Sequence, residues 1–343
     1  MNNPEMVSRT VYYQLADLFE ISAVYYHEGR LILRARPHGS AAEAVEAMHR
    51  RLRAAGFEAS VKEDALGLLI GVREVTRFKW PVVNIVLFLA TVVTVFFAWP
   101  GPPARRIEYA VALMTILLFH EFGHYLAGRR RGVLMSLPYF LPAPGFINII
   151  GTFGAVIKSR SFFTNRRDLI EVGAAGPIAG FVISVVALSI GLHYSQIVAV
   201  GMSGGLQLGD SLLMRLLTRV IIGPIPEGYD FVLSPAAFAG WVGLLVTMLN
   251  LLPLGQLDGG HILYGLVGRY QHLVGKIFLA IIFVLGFWWP GWWLFAALAF
   301  LFRMNHPPTY NDAMPLPLSA RLLGLAAILI FVIGFIPVPI TLN

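Results

Sequence analysis

Long apolar runs separated by short polar connections occupy most of this chain beyond about residue 75. A helix that crosses a bilayer needs roughly 20 consecutive apolar residues, and several of the runs reach or approach that length. The runs cover about residues 80–99, 107–127, 169–192, 231–252, 277–289, 292–302 and 322–336. The pattern predicts an all-α polytopic membrane protein with about six to seven spans.

The apolar segment at residues 134–157 differs from the others because prolines and glycines interrupt it. Proline removes a helical hydrogen bond, and irregular backbone at membrane depth must be buried in protein or line a cavity. We therefore expect a re-entrant segment or a β-hairpin here rather than a straight helix. Its second half, residues 149–157 around Gly151-Thr152-Phe153-Gly154, is expected to be extended.

Residues 1–75 show short alternating runs of mixed polarity instead. The predicted elements are a helix at 11–19, a hairpin from 23–26 and 31–36, a helix at 41–55, and a hairpin from 59–62 and 68–73. Ser40 and Glu43 form a capping-box motif before the second helix, and Gly56 ends it. We predict a small soluble α+β domain at residues 1–75 and a transmembrane domain at residues 76–343.

Composition supports a membrane protein. Hydrophobic residues make up 57% of the 343 and charged residues 13%, which is unlike an ordinary soluble domain. The net charge of +7 indicates no nucleic-acid partner, because Lys and Arg mostly flank the apolar runs. The chain has no cysteine, so a transition-metal site would have to use His, Asp and Glu. The polar start does not have the pattern of a cleavable signal peptide.

Basic residues predict the orientation of the spans. Arg73, Arg77 and Lys79 precede the first long run, and three arginines at 129–131 follow the second. By the positive-inside rule these positions face the cytoplasm, so the N-terminal domain is predicted there. The connection at about 193–230, with an amphipathic helix near 212–222, then lies outside. We predict a multi-pass protein of a prokaryotic cytoplasmic membrane.

The second run carries His120-Glu121-Phe122-Gly123-His124 near its cytoplasmic end. Histidines four residues apart lie one helical turn apart on the same face and can share one metal ion. Glu121 lies in the same turn, where it can take a proton from a metal-bound water. The structural alternative is that the histidines hydrogen-bond to neighbouring helices and Glu121 extends to the interface. Three ionisable groups inside hydrocarbon favour a functional site.

A second polar cluster follows the fourth run and contains Asn250, Pro253, Asp258 and His261. Counting spans puts this cluster at the same membrane face as the His-Glu motif. Asp258 and His261 are three residues apart near the start of a predicted helix and can share one face. Geometry alone therefore leaves either of them as a third metal ligand.

With both motifs the chain resembles the site-2 protease family of intramembrane zinc metalloproteases. The likeness covers about residues 80–261, a predicted catalytic core, and rests on His120-Glu121-x-x-His124, Gly151-Thr152-Phe153-Gly154, Asn250-x-x-Pro253 and Leu257-Asp258-Gly259. It implies that His120, His124 and Asp258 bind one zinc ion and that Glu121 is the general base. It also implies a lipid-embedded substrate, a transmembrane protein cut within or near its span. The candidate substrate-binding residues are Gly151, Thr152, Phe153, Gly154 and Asn250.

Two features depart from the family pattern. Many members carry a PDZ domain between core spans, but the connection after Leu192 is too short to hold one. The family often has an asparagine beside a Gly-Pro in the third span, where this chain has the glycines of Gly176-Pro177-Ile178-Ala179-Gly180. Gly173, Gly176 and Gly180 are predicted to serve close helix packing.

The chemistry leaves three functions to compare. The first is zinc-dependent cleavage of transmembrane peptide bonds. The second is a metal transporter or sensor that uses the same His and Asp cluster, but it leaves Glu121 without a task. The third is a non-catalytic membrane scaffold, against which the intact Glu121 also argues. The sequence therefore favours the metalloprotease.

Overall fold

A computed structural model describes residues 4–27, 30–64, 67–74, 81–133, 135–159, 163, 165–199, 206–301, 306, 309, 312 and 314–342. The predicted domain boundary near residue 75 and the basic residues Arg77 and Lys79 lie outside these described residues. The helices are α1 (Pro4–Leu15), α2 (Ala41–Ala54), α3 (Val82–Ala98), α4 (Pro103–Arg130), α5 (Arg166–His193), α6 (Leu212–Ile221), α7 (Pro235–Asn250), α8 (Asp258–Val267), α9 (Gln271–Leu285), α10 (Gly291–Leu301) and α11 (Leu318–Gly334). The strands are β1 (Phe19–His27), β2 (Arg30–Pro37), β3 (Phe57–Asp64), β4 (Gly67–Glu74), β5 (Tyr139–Pro142), β6 (Thr152–Val156), β7 (Gln196–Ala199), β8 (Leu206–Leu208), β9 (Tyr229–Val232) and β10 (Ile340–Leu342).

The N-terminal elements form an antiparallel sheet of order β1-β2-β4-β3 with α1 and α2 packed on it. The alternation of apolar residues along the strands supplies the buried face, as in Leu31, Leu33, Ile70 and Val72. Met48, one turn before Leu52 on α2, is fully buried against this face. The unit thus has an apolar core of its own.

Two local predictions in this unit are wrong. The first helix ends at Leu15, and Phe19 begins β1 instead of closing the helix, because its side chain is buried in the sheet core. Ser40 is the N-cap of α2, but its side chain makes no capping hydrogen bond. The capping box with Glu43 therefore does not form, and Ser40 occupies the N-cap position through its extended backbone alone.

The rest of the chain is mostly helical. Among the described residues, three helical stretches are long and apolar enough to cross a membrane: Pro103–Arg130, Arg166–His193 and Asp258–Leu285. The shorter apolar helices are Val82–Ala98, Pro235–Asn250 and Leu318–Gly334. The stretch Asp258–Leu285 joins α8 and α9 and was not predicted as a span. The run predicted at 231–252 is also shorter, because Phe231 belongs to β9 and α7 begins at Pro235.

Helices α4, α5 and α7 pack together at the centre, and α8 packs against α5. Glycine permits the closest approach: a Cβ on Gly191 of α5 would lie 2.0 Å from the backbone nitrogen of Ala237 on α7. The outer helices expose large apolar side chains, for example Val86 of α3, Ile277 of α9 and Leu329 of α11. Such a surface suits contact with lipid.

The segment predicted as re-entrant or hairpin contains the antiparallel pair β5–β6, which packs beside α3. The Nδ2 of Asn84 on α3 donates to the carbonyls of Leu137 and Pro138, at 3.0 and 2.8 Å. The hydroxyl of Tyr109 on α4 donates to the carbonyl of Ile150 at 2.9 Å. At Gly151, with φ +86°, a Cβ would lie 2.7 Å from the Cα of Val95, so only glycine fits. The hairpin is therefore held at both ends.

The connection between α5 and α7 contains the predicted amphipathic helix as α6, with the pairs β7–β9 and β8–β10. Ser211 caps α6 by accepting a hydrogen bond from the backbone nitrogen of Met214. Ser234 caps α7 in the same way through Ala237. The pairing of β10 with β8 ties the end of the chain to this connection.

Candidate metal centre

His120, His124 and Asp258 converge between α4, α5 and α8 in a cluster in which both histidines are buried and Asp258 is partly buried. The Nε2 atoms of the two histidines are 3.3 Å apart. The Oδ2 of Asp258 is 3.5 Å from Nε2 of His120 and 3.2 Å from Nε2 of His124. Tetrahedral zinc with bonds of about 2.0–2.1 Å separates its ligand atoms by about 3.3 Å. The three donor atoms therefore fit three corners of a zinc site.

The two histidines reach the cluster because α4 puts them one turn apart on the face turned toward α5. Nδ1 of His124 lies 2.8 Å from the backbone carbonyl of Val172. Since a carbonyl can only accept, Nδ1 carries the proton and donates it, which leaves the lone pair of Nε2 facing the cluster. This partner fixes the tautomer that a metal ligand requires.

Glycines on α5 provide the space for both imidazoles. A Cβ on Gly176 would lie 2.1 Å from Nε2 of His124, and a Cβ on Gly180 would lie 2.9 Å from Nδ1 of His120. The predicted role in helix packing is thus only part of their function, since they also accommodate the rings. The spacing of four residues between these glycines matches that of the histidines, and this sequence signal could have indicated the second role.

Glu121 is 5% exposed and lies close enough to His120, His124 and Asp258 to interact electrostatically with all three. It thus lies in the interior beside the cluster. Because it is not one of the three converging donors, its carboxylate is available to a bound water or substrate. Among the described residues, the one group of His, Asp or Glu side chains arranged to hold a metal ion is His120, His124 and Asp258.

Asp258 is the first residue of α8 and follows a tight turn after α7. A Cβ on Gly259 would lie 2.0 Å from the carbonyl oxygen of Leu251, so the turn closes on the helix start only with glycine there. Gly173 of α5 faces the same turn, where an added Cβ would lie 3.4 Å from the Asp258 carbonyl oxygen. These close approaches bring the carboxylate to the histidines.

His261, the other candidate third ligand, points elsewhere. Its Nδ1 is 2.6 Å from Nε2 of His306, and its Cβ packs toward Gly173. It is not part of the group of converging donor atoms with Asp258. The sequence did not identify His306, because 45 residues separate it from His261.

The predicted substrate-binding residues fall into two places. Asn250, the last residue of α7, has its Nδ2 3.0 Å from Nε2 of His120, so its amide borders the cluster. Residues 151–154 lie in and before β6, which contacts α4. Thr152 is buried, with its hydroxyl donating to the Leu141 carbonyl, whereas Phe153 is 62% exposed.

Ion pairs join the ends of the two helices that build the site. The guanidinium of Arg131, just after α4, pairs with Glu171 of α5 and lies 3.8 Å from Asp168. Arg167 pairs with Glu171 as well, at 2.8 Å. The backbone positions of His124 and Val172 are thereby held near one another.

Comparison with known proteins supports the same chemistry. The chain is 35% identical over 168 residues to the probable zinc metalloprotease EGY2, chloroplastic, of Oryza sativa subsp. indica, which is 47% of this chain and 29% of the relative. It is 35% identical over 172 residues to the probable zinc metalloprotease EGY1, chloroplastic, of Arabidopsis thaliana, with the same coverage of 47% and 29%. The matched part is thus under a third of the length of these relatives. No solved structure matches the chain significantly.

The family comparison covers the site itself. Peptidase family M50 matches residues 108–288, just over half of the chain. The match includes α4, the β5–β6 hairpin, α5, α7 and α8, and therefore His120, Glu121, His124 and Asp258. The resemblance found in the sequence motifs is confirmed: the chain belongs to peptidase family M50, the site-2 protease family.

Proposed function

We propose that this protein is an intramembrane zinc metalloprotease that hydrolyses peptide bonds within or near the transmembrane segments of other membrane proteins. The observation that carries the proposal is the triangle of His120, His124 and Asp258, with donor atoms 3.2–3.5 Å apart. Three protein ligands leave a fourth tetrahedral position open, which distinguishes hydrolytic zinc sites from closed structural ones.

The proposed roles follow from the position of each group. When bound, zinc supplies a Lewis acid that polarises a peptide carbonyl and makes water acidic near neutral pH. Glu121 accepts the proton of the attacking water and returns it to the leaving amine. The amide of Asn250, 3.0 Å from Nε2 of His120, is within reach of a carbonyl at the open position.

The substrate is proposed to bind as an added strand along β6. A helical substrate hides its peptide bonds in internal hydrogen bonds, so it must unwind before cleavage. Within the described residues β6 pairs only with β5, and the side chains of its residues Phe153 and Val156 are exposed. Hydrogen bonds to this edge would replace part of those lost on unwinding. Gly151, Thr152 and Gly154 shape the edge without covering it.

Proline substitutions test this pairing. Phe153→Pro, Ala155→Pro and Val156→Pro each remove one backbone donor from the segment. At least one of the three variants should cleave much more slowly at normal zinc content. Normal cleavage by all three, or loss of zinc by all three, would exclude pairing at this edge.

The membrane arrangement is also proposed. It has six to seven spans, with residues 1–75 as a cytoplasmic domain and residues 76–343 as the membrane domain. The three long and three shorter apolar helices among the described residues support the number of spans. We propose a prokaryotic cytoplasmic membrane as the location, with the metal cluster near the cytoplasmic face; the plant relatives are named chloroplastic. A cysteine at Ser8 should then react only with permeant reagents, and one at Pro102 also with impermeant reagents from outside. The reverse labelling would invert this topology.

The catalytic proposal is tested with Glu121→Gln beside His124→Ala. Glu121→Gln keeps the three donors but lacks the proton acceptor, so it should retain one zinc per chain and lose proteolysis. His124→Ala should lose both. Zinc is measured by mass spectrometry on the purified protein, and cleavage with a purified single-span substrate in detergent. Full cleavage by Glu121→Gln would refute the assigned base.

A further inference from the structure

Three described residues between α10 and α11 lie beside α8. His306 contacts both His261 and Tyr264, which lie on successive turns of α8. Asp312 contacts Tyr264, and Thr309 contacts Asp312. We call these five residues the α8 clasp. His306, Thr309 and Asp312 lie beyond residue 288, where the family match ends.

The clasp consists of direct polar and stacking contacts. His306 shares a 2.6 Å hydrogen bond with Nδ1 of His261, and its ring stacks on Tyr264 with centroids 4.7 Å apart and planes 29° apart. The Tyr264 hydroxyl donates to Oδ2 of Asp312, and the Thr309 hydroxyl donates to Oδ1 of Asp312 at 2.6 Å. One ring of His306 therefore links both turns of α8.

The backbone of the clasp is anchored as well. The backbone nitrogen of His306 donates to Oε1 of Gln271, the first residue of α9, at 3.3 Å. Gln271 is 1% exposed, so this contact lies in the interior. The position of His306 is thereby tied to the helical stretch that it supports.

The clasp contacts the turns of α8 that follow Asp258. Asp258 begins the helix, and the N-cap residue Leu257 makes no side-chain hydrogen bond to it. Helix α5 packs against α8 at Gly173, where a Cβ would lie 3.1 Å from Cβ of His261, and at Ile170, whose side chain would lie 2.3 Å from a Cβ on Gly265. These contacts at glycines set how closely α8 approaches α5. The clasp supplies directional contacts that resist rotation.

We propose that His306 is a positioning residue for the metal centre: through His261 and Tyr264 it sets the rotation of α8 and so keeps the carboxylate of Asp258 at the two histidines. The proposal rests on the assignment of Asp258 as a metal ligand. A small rotation matters, because metal–ligand distances are useful only within about 0.2 Å of their ideal values. His261 acts as the link, since it lies one turn from Asp258 and close enough to interact electrostatically with it.

The test compares His306→Ala and His306→Gln with the control His193→Ala, which removes an exposed histidine at the end of α5. Zinc affinity is measured on purified full-length protein by competition with a chelator. Ligand geometry is measured by the visible absorption spectrum of the Co²⁺-substituted protein. His306→Ala should bind zinc about tenfold more weakly, as expected when support for a ligand is lost, and should change the Co²⁺ spectrum. His306→Gln can still hydrogen-bond His261 and should recover most of the affinity.

Wild-type zinc affinity and an unchanged Co²⁺ spectrum in His306→Ala would overturn the proposal. If His306→Ala fails to fold, Tyr264→Phe decides instead. This substitution removes only the Tyr264 oxygen that contacts Asp312, and it should also weaken zinc binding. Wild-type zinc affinity in Tyr264→Phe would overturn the proposal. Asp258→Ala tests the ligand assignment separately from the role of the clasp. Wild-type zinc affinity in that variant would refute the ligand assignment itself. Loss of zinc there with normal binding in the clasp variants would refute the clasp alone.

Discussion

Replacing Gly176 by alanine should remove the metal although it adds only one methyl group. The new Cβ would lie 2.1 Å from Nε2 of His124, 2.3 Å from Cδ2 and 2.5 Å from Cε1. Ordinary contacts of a Cβ begin at 3.4 Å, so the edge of the ring must move by about 1.3 Å. That movement acts on the nitrogen that faces the cluster.

The surroundings leave the ring little freedom to move. Its Nδ1 is held by the Val172 carbonyl at 2.8 Å, and the side chain is buried. The helices cannot separate readily, because α4 and α5 are in backbone contact at Gly123, where a Cβ would lie 2.5 Å from the carbonyl oxygen of Ala175. A displacement of about 1.3 Å far exceeds the roughly 0.2 Å that a metal–nitrogen distance tolerates. We expect zinc affinity to fall by about 10–100-fold, the range found when the surroundings of a metal ligand are changed.

Helix propensity makes the prediction sharper. Alanine is favoured over glycine inside a helix by about 1 kcal/mol, so propensity alone would predict a more stable protein. Overpacking of a filled interior costs about 1–3 kcal/mol and acts in the opposite direction. Loss of zinc from Gly176→Ala can therefore be attributed to the contact with His124.

Two further alanine variants give a graded series. Gly180→Ala would bring its Cβ to 2.9 Å from Nδ1 of His120, a smaller overlap, and should weaken zinc binding by less. Gly334→Ala, at the end of α11, meets no atom within 4 Å and should leave zinc content unchanged. The assay is zinc per chain by mass spectrometry, with cleavage of a single-span substrate measured in parallel. Stoichiometric zinc and normal cleavage in Gly176→Ala would refute the reasoning.

Three other predictions follow from single contacts. Asp258→Ala should lose zinc while His261→Ala retains some, and the reverse result in a metal assay would exchange their roles. Asn84→Leu leaves two backbone carbonyls of the hairpin without their donor, at about 1–3 kcal/mol for the buried groups, and should slow cleavage at normal zinc content. Burial, and next the charge of Arg53, lower the pKa of His49 from 6.5 to about 3. The neutral His49 side chain therefore contributes fully to the free energy of unfolding above pH 6.5, and this contribution is lost as the pH falls toward 3. Hydrogen exchange of α2 in the full-length protein should show this loss in wild type but not in His49→Gln.

Periodicity and local chemistry were enough to predict several elements. The apolar run at 107–127 lies inside α4, and the run at 169–192 lies inside α5, because apolar length alone selects a helix there. Spacing within a single helix is equally local, so the two histidines of the motif could be placed on one face before any fold was known. Prolines and glycines likewise indicated the hairpin β5–β6, because they disfavour the helix that its apolar content would otherwise form.

The packing partners of glycines could not be predicted from the sequence. The segment 258–285, which was not predicted as one long apolar stretch, contains Gly259, Gly260, Gly265 and Gly268. In the structure Gly259 and Gly265 lie at close contacts. A Cβ on Gly265 would lie 2.3 Å from the side chain of Ile170 on α5. A glycine in the sequence shows that a side chain is absent, but it does not show which neighbouring group fills the space that a side chain would take.

The sequence by itself determined which residues are chemically able to hold a metal: two histidines on one helix, and Asp258 or His261 on another. The family resemblance selected Asp258, but only the tertiary structure gives the physical reason for the choice. Both lie on the same face of α8, but Oδ2 of Asp258 comes within 3.2 Å of Nε2 of His124, while His261 is hydrogen-bonded to His306. The physical reason is that spacing along a helix sets the direction of a side chain relative to that helix alone. Which groups meet depends on how α8 packs against α5 and α4, and those contacts join residues more than 80 positions apart.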